Sequence, residues 1–365
     1  MPRSKKELES AIRGGSGRAV LIVNARSRRG RRLYGRARTL LTAAGLEFGE
    51  IVPVTDPAGL RPLFHRVLAD DPDLVVVGGG DGTVAEAVRH LAHRDTALGV
   101  LPLGTTNNFA RSLELPMDLA GAVDVLAEGK VADVDVGWFE GTDDTGPAPA
   151  AKATGDASQP GDAGGTRTAN SAGGTRDANS AGGTRDASGV GDKAGHVFAN
   201  MVSLGLSVEV ARHVPHELKR VLGRPAYALT AARLLPRHEA FRATIEIDGE
   251  TTEVATHQLN IANGAHHSGQ RIARDASPDD RLLAVYRLGD ERRLRLASAT
   301  ARHVLTGPWR SLDEAAFLTT QHVRIATDPP LPVDVDGEIR ARTPVEIRLL
   351  GNALRVIVPQ SFNDT

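Results

Sequence analysis

The stretch VVVGGGDGTVAEAV, residues 75–88, decides the fold. Leu74 to Val77 is apolar and β-branched without polar relief, the pattern of a parallel strand covered on both faces. Gly78, Gly79 and Gly80 follow at once. They accept unusual backbone angles and leave no side chain between the main chain and a ligand, so their N–H groups can converge on a phosphate. From Thr83 onward, Val84, Ala85, Ala87, Val88 and Leu91 fit one face of a helix whose N-terminus points at the same spot. A glycine triplet alone is equally compatible with an ordinary strand-to-helix turn. Asp81 argues for more, because a carboxylate among phosphate-facing amides makes electrostatic sense beside a cation such as Mg²⁺ or as a proton acceptor. The stretch is neither GxGxxG nor GxxxxGK[ST], so the two common nucleotide motifs are excluded on spelling.

Outward from this stretch, strand and helix alternate. AVLIVN (19–24) reads as a first strand, 31–44 as a helix, FGEIVPVT (48–55) as a second strand followed by a helical stretch to Ala69. ALGVLPLGTTNNFARSL (97–113) gives a further strand ending in a polar loop, and 117–128 a helix. This predicts an α/β domain over 18–133, built on a doubly wound parallel sheet with ligands beyond the carboxyl ends of the strands. Residues 1–17 are left as an N-terminal tail. After VADVDVGWFEG the character changes, and 134–359 is expected to form a mainly antiparallel, sandwich-like second domain. Its strands are RATIEIDG, HQLNIANG, LLAVYRLG, HVRIATD, LPVDVDGE, VEIRLLG and LRVIVP. HVFANMVSLGLSVEVA (196–211) reads as a strand that pairs with DVDVGW, and HELKRVLGRPAYALTAARLL as a helical stretch. Between them, 141–195 lacks large apolar side chains and repeats AGGTRTANS, AGGTRDANS, AGGTRDASG from Ala163. Such units bury too little surface to fold, so a disordered insertion is expected; a calcium-binding β-roll would need an apolar residue in each repeat, and there is none.

The 365 residues are 41% apolar, and no run approaches the roughly 20 apolar residues a membrane helix needs, so any membrane contact is expected to be peripheral. MPRSKKELES has no apolar core of a secretory signal. Zero cysteines rule out disulfides and thiolate metal sites and fit a reducing cytosol. The net charge of −1 hides ARSRRGRRLYGRAR (25–38), with seven arginines and no acid. It reads equally as a solvated helix face or as a field for phosphates and anionic membranes. Nucleic acid is not expected, since only Tyr34 interleaves with that basic run.

VGGGDGTVAEAV, LPLGTTNNFARSL, LKRVLGRPAY, the NG…RIARDASPDD stretch and VDVDGEIRARTPVEI, in that order, resemble the diacylglycerol kinase catalytic-domain family. The likeness is to its soluble bacterial lipid kinases, within the superfamily that includes sphingosine and NAD kinases, and it spans nearly all of the chain outside the first dozen residues and the repeats. It implies that Gly79, Gly80, Asp81, Gly82 and Thr83 hold ATP phosphates, with Asn24, Thr55, Thr105 and Gly337 also at the nucleotide. Glu338 matches the acceptor of the lipid hydroxyl's proton in bacterial lipid kinases, and Asp81 has that role in sphingosine kinases. Asp280 matches a structural Mg²⁺ ligand, joined by the carbonyls of Ser277 and Leu282. The implied activity is an ATP- and Mg²⁺-dependent lipid kinase, cytoplasmic and peripherally associated with the inner face of the membrane. A diacylglycerol-like lipid is its expected substrate; no obligate protein partner is evident and a homodimer stays open.

Each residue also has a plainer explanation. Asp280 suits an ordinary turn, Asp336-Gly337-Glu338 an ordinary hairpin, and Lys219 and Arg220 a helix surface. His266 and His267, adjacent on a strand, point to opposite faces and read as a solvated turn rather than a metal pair. Three departures stand out: Asn108 replaces an acid of GTxND, Arg281 replaces the glycine of DDG, and NARSRRG stands where the family often has NPxSG. A catalytically weakened nucleotide- or lipid-binding protein and a kinase of a soluble substrate such as NAD are the alternatives. A Rossmann-type oxidoreductase lacks the required glycine spacing.

Overall fold

The computed structural model describes residues 3–15, 18–25, 28–143, 195–215, 229–231, 233–234, 238–264, 266–267, 270–271, 277–288 and 318–364. The nonapeptide repeats, most of the helical stretch predicted from His216, Lys219, Arg220 and the side chains of the five arginines between 26 and 32 lie outside the described residues.

The chain opens with helix α1 (Lys5–Arg13). Ser4 and Glu7 close a reciprocal capping box at its start, and Leu8 is fully buried. The segment expected as a tail is therefore partly built into the molecule: Arg13 donates to the Gly129 carbonyl, and Glu9 accepts the Val131 N–H.

Strand β1 (Ala19–Asn24), helix α2 (Arg28–Ala43), β2 (Glu50–Val54), α3 (Leu60–Leu68), β3 (Leu74–Gly79), α4 (Asp81–Leu91) and β4 (Ala97–Pro102) follow. Their strands run parallel in the order β4-β3-β1-β2. Odd and even positions of each strand feed different cores. Leu21, Val23, Leu74 and Val76 pack with Leu8, Ala37 and Leu41, whereas Ile22, Val75 and Val77 pack with Phe64, Val67, Val84 and Val88. Helices cover both faces, as the unbroken apolar strands required. Each such side chain, taken fully out of water, contributes about 1.5–3 kcal/mol. Two short helices, α5 (Asn108–Ser112) and α6 (Leu119–Glu128), complete this region. Chain order reverses between β1 and β3, the point where ligands are expected in such sheets.

Strand β5 (Lys130–Asp143) leads out of it. It continues to Asp143, past the expected start of the insertion at 141. The predicted pairing across the insertion is present, with Gly137, Trp138 and Phe139 opposite Phe198, Val197 and His196 of β6 (His196–Phe198). The predicted strand 196–211 is broken after β7 (Met201–Gly205) by helix α7 (Leu206–His213). The cause is Gly205, whose φ of +95° turns the chain and whose Cβ would lie 2.5 Å from the His257 carbonyl. Leu206 and Val210, one helical turn apart, are then buried together on one side of α7.

The remaining strands are β8 (Phe241–Ile247), β9 (Glu250–Thr256), β10 (Gln258–Ala262), the pair β11 (His266–His267) and β12 (Gln270–Arg271), β13 (Leu283–Leu288), β14 (Leu318–Thr320), β15 (His322–Asp328), β16 (Pro332–Val335) and β17 (Glu338–Val358). Every pairing among them is antiparallel. A third core lies here, with Val202, Leu204, Leu259, Ile261, Val285, Val333 and Val335. The two last predicted strands are one, β17. It runs antiparallel to β5 and meets β4 in parallel at Val356 and Leu98, so a single sheet joins the α/β region to the β-rich region. Two register shifts, at Arg342/Val345 and Leu350/Leu354, let one strand serve both.

Candidate active site

The glycine break after β3 meets the loop after β4 backbone to backbone. Leu103 and Gly104 N–H both donate to the Gly79 carbonyl, at 2.9 and 3.1 Å. A Cβ on Gly104 would come within 2.4 Å of the Gly80 Cα, which is why a side chain is absent there. Asn107, at φ +50°, holds this loop from inside: its carboxamide accepts the Gly104 N–H and donates to the Gly104 carbonyl. Asp81, the first residue of α4, spans the two loops. Its carboxylate accepts the Thr106 hydroxyl and the Asn108 N–H, each at 2.5 Å, and so caps α5 from outside. Asp81 thus has a structural task that its place in the sequence does not reveal. Thr83 is buried and its hydroxyl accepts a hydrogen bond from Asn24 at 3.2 Å, tying the ends of β1 and β3 together. Gly82, in the first turn of α4, and Thr105, in the loop after β4, are exposed, and Thr55 is exposed just beyond β2. Thr83 is the first amide of α4 bonded back to Gly80, which leaves the amides before it at the mouth of an eleven-residue helix. A phosphate fits this cradle.

The second group of expected residues lies on the hairpin between β16 and β17. Val335 pairs with Glu338, and Asp336 and Gly337 both have positive φ, as a two-residue turn of this hand requires. The hairpin is ordinary in backbone and unusual in charge. Asp336 is partly buried and accepts three backbone N–H groups, from Ala199 and Asn200 at 2.8 Å and Met201 at 3.2 Å. Burial raises its pKa, while those three donors and the charge of Arg89 pull it back. Asp334 accepts the Gly337 N–H at 2.9 Å and is pushed up to about 6, first by burial and then by the charges of Asp336 and Glu338. Glu338 is exposed and pairs with Arg340.

Helix α4 connects the two groups. Its N-terminus is the glycine loop, and its far half carries Arg89, whose Nε donates to the Val197 carbonyl next to the segment Asp336 holds. Arg89 also pairs with Glu86, held down to about 2 by its bond to His90 and by Arg89 itself, against burial. From α5, Ser112 reaches His266 Nδ1 at 3.4 Å, and Asn263 N–H donates to the Asn200 carbonyl. Asp81 and Glu338 are not bonded to one another; each is held by its own partners.

Both regions of the chain resemble known proteins. The family described as the diacylglycerol kinase catalytic domain matches residues 18–139, and the family described as the YegS C-terminal NAD kinase beta sandwich-like domain matches 200–358. By these two matches the α/β region is similar to the diacylglycerol kinase catalytic domain and the β-rich region to the YegS C-terminal domain. A Staphylococcus haemolyticus relative, named "Putative lipid kinase SH2167", is 25% identical over 297 residues, covering 80% of this chain and 79% of its own. A diacylglycerol kinase of Staphylococcus carnosus is 25% identical over 308 residues, 82% of this chain and 81% of its own. The crystal structure of a diacylglycerol kinase from Bacillus anthracis superposes with a TM-score of 0.65 at 22% identity, over 93% of this chain and 96% of that one, and so shares the fold. The match of residues 18–139 to a kinase catalytic domain implies ATP as the phosphoryl donor.

The third expected group, the residues matched to a metal loop, lies in residues 277–282. Asp280 accepts the N–H groups of Ser277 at 2.8 Å and Leu282 at 2.9 Å, so the three residues named from the family pattern do come together. Burial raises the Asp280 pKa, and the nearby charge of Asp135 adds to it. A divalent cation would neutralise that concentration of acid, and carbonyl and carboxylate oxygens are the donors Mg²⁺ takes, so the loop fits the ion. No cluster of three acidic or histidine side chains able to hold a metal occurs among the described residues, so the site would depend on backbone oxygens. Arg281 has φ +58°, the angle for which glycine is suited, so the replacement does strain the loop. Its N–H is tied down by Asp135 at 2.8 Å.

Asp135 is the residue sequence reasoning missed. Fully buried on β5, its carboxylate accepts the N–H groups of Arg281 and of Asn352 at the bend of β17. The available signal was an acid inside the strand run VADVDVGW. Asn107, Arg89 and Asp336 were likewise visible only as ordinary loop, helix and turn residues.

Proposed function

We propose that this protein is an ATP- and Mg²⁺-dependent lipid kinase that transfers the γ-phosphoryl group of ATP to the hydroxyl of a diacylglycerol-like lipid. The observation that carries the proposal is mechanical. One helix, α4, begins in the phosphate cradle, and its Arg89 grips the strand next to the 199–201 segment on which Asp336 seats the Glu338 hairpin. Phosphoryl transfer demands little covalent chemistry from a protein and much positioning.

In this reading the amides at the start of α4 and the loop through Thr105 hold the phosphates, with Asn24 and Thr83 fixing the strand ends beneath them. Glu338 takes the proton of the lipid hydroxyl as its oxygen bonds to phosphorus and the bond from phosphorus to the departing ADP oxygen breaks. Leaving Arg340 would free Glu338 for that task. Asp81 holds the two nucleotide loops together, and its negative carboxylate would face the phosphates only through a bound Mg²⁺. Bound Mg²⁺ supplies charge neutralisation; the structural ion would be held by Asp280 and the Ser277 and Leu282 carbonyls. No helix among the described residues is long and apolar enough to cross a membrane, so we assign lipid access to peripheral contact at the inner face, in the cytoplasm.

The test is incubation of the full chain with labelled ATP, Mg²⁺ and a mixed lipid extract, beside Asp81→Ala and Glu338→Ala. Label should enter the organic phase with the wild type and fall by roughly a hundredfold or more in Glu338→Ala, the scale of a lost general base. Intact nucleotide binding with unlabelled lipid would instead make it a catalytically weakened binding protein, the direction in which Asn108 and Arg281 point.

A further inference from the structure

The sheet face opposite the β-rich core carries a row of polar groups outside the cradle, of which only Asp334 is engaged by the Glu338 hairpin, through the Gly337 N–H. In β16, β7, β10 and β13, Val333, Val335, Val202, Leu204, Leu259, Ile261, Leu283 and Val285 all point into the core. The residues between them therefore share the other face. Register aligns four of them side by side: Asp334 opposite Ser203, Ser203 opposite Asn260, and Asn260 opposite Tyr286. Four adjacent strands thus present carboxylate, hydroxyl, carboxamide and phenol at one level.

Ser203 is only 4% exposed, yet its hydroxyl has no hydrogen-bond partner among the described residues. The hydroxyl oxygen itself is not sealed from solvent, so it is open to a guest that can bond to it. Asn260 keeps its carbonyl oxygen occupied by Gln258 at 2.7 Å, which leaves its N–H groups as donors. Gln258 is in turn fixed by Ser207 at the start of α7, so the row has a rigid edge on that side. At the other end, Asp334 sits on the hairpin whose next strand begins with Glu338.

The geometry points to the Asp334–Ser203–Asn260 row as the recognition site for the uncharged, ester- and hydroxyl-bearing headgroup of an acylglycerol. Adjacent strands are about 4.8 Å apart, so the three residues span roughly 10 Å. Asp334 accepts from a hydroxyl near the proton acceptor, and the Ser203 hydroxyl and Asn260 N–H groups donate to ester carbonyls farther along. The row offers one carboxylate among neutral groups, which suits a neutral headgroup better than an amine. This inference rests on the lipid-kinase reading.

The test separates the two. The full chain is assayed with 1,2-dioctanoylglycerol in mixed micelles, and with sphingosine, as wild type, Ser203→Ala, Asn260→Asp and Asp334→Asn; thermal unfolding confirms that each variant is folded. Equilibrium binding of dioctanoylglycerol micelles is measured without ATP. We expect Ser203→Ala and Asn260→Asp to raise KM for dioctanoylglycerol by about tenfold, the scale of a lost buried hydrogen bond, with KM for ATP within about twofold. Micelle binding should weaken in step. An active wild type whose lipid KM is unchanged in both variants would overturn the row and leave the kinase standing. A wild type that phosphorylates no lipid would overturn the kinase reading, and micelle binding insensitive to Ser203→Ala would then sink the row as well. Loss of sphingosine phosphorylation alone in Asp334→Asn would show that the row reads an amine.

Discussion

Asp336 shows how much one side chain can decide. It satisfies three backbone donors inside the protein, so Asp336→Ala would strand three buried N–H groups, each costing about 1–3 kcal/mol. We expect a loss of at least about 3 kcal/mol in urea unfolding, with Asp336→Asn recovering part of it through its remaining oxygen. Asp334 behaves differently. Its pKa is raised in the folded state to about 6, so the native protein binds its proton more tightly than the unfolded chain. Stability from this group is therefore greatest in acid, and it is lost as pH rises from about 4 through 6. Asp334→Asn should raise the melting temperature at pH 7.5 and make little difference at pH 4. Glu86 has the opposite sign: lowered to about 2, it contributes above pH 4.5 and loses that contribution as pH falls toward 2. Glycine, Asp81 and Glu338 were legible as residues of interest because their spelling is chemical. Asp334 and Asp135 were not, because an acid in a strand looks solvent-facing until the neighbouring strands cover it, and Asp336 was not, because an acid in a hairpin turn looks like a solvated turn residue.

Among the elements, α5 depends most visibly on a distant residue. Five residues long, it is too short to be stable alone, and its first N–H is capped by Asp81 from another helix. Asp81→Ala should cost about 1–2 kcal/mol and speed amide exchange across 108–112 in addition to any loss of activity. Asp81→Asn, which keeps one acceptor, separates this structural part from the charge. Gly104→Ala meets backbone rather than a yielding side chain, so it should weaken ATP binding while leaving the β-rich region unaffected. The elements of the α/β region were readable because their strands are apolar without interruption and their helices have a clean period. Helix α7 was misread as strand because SLGLSVEVA also alternates; only contact with the His257 carbonyl showed that Gly205 must turn.

Across the whole molecule, β5 and β17 run side by side and make one sheet of regions that the sequence divides at residue 133. Because β5 and β6 pair directly on either side of the insertion, replacing 145–193 by a short turn should leave folding intact. Closing a loop about ten times shorter is expected to raise stability by up to ~2 kcal/mol, readable in chemical unfolding. A drop in stability would instead show that the repeats contribute structure. The sequence by itself determined the parallel strands, the glycine cradle, the Asp-Gly hairpin and the family resemblance, because each is written in neighbouring residues whose periodicity or order carries the physics. The tertiary structure alone decided that Asp81 braces two loops, that Arg89 and Asp336 join the cradle to the hairpin, and that Asp334, Ser203 and Asn260 share one level. Those relations depend on strand register and burial between residues far apart in the chain, and no local pattern records them.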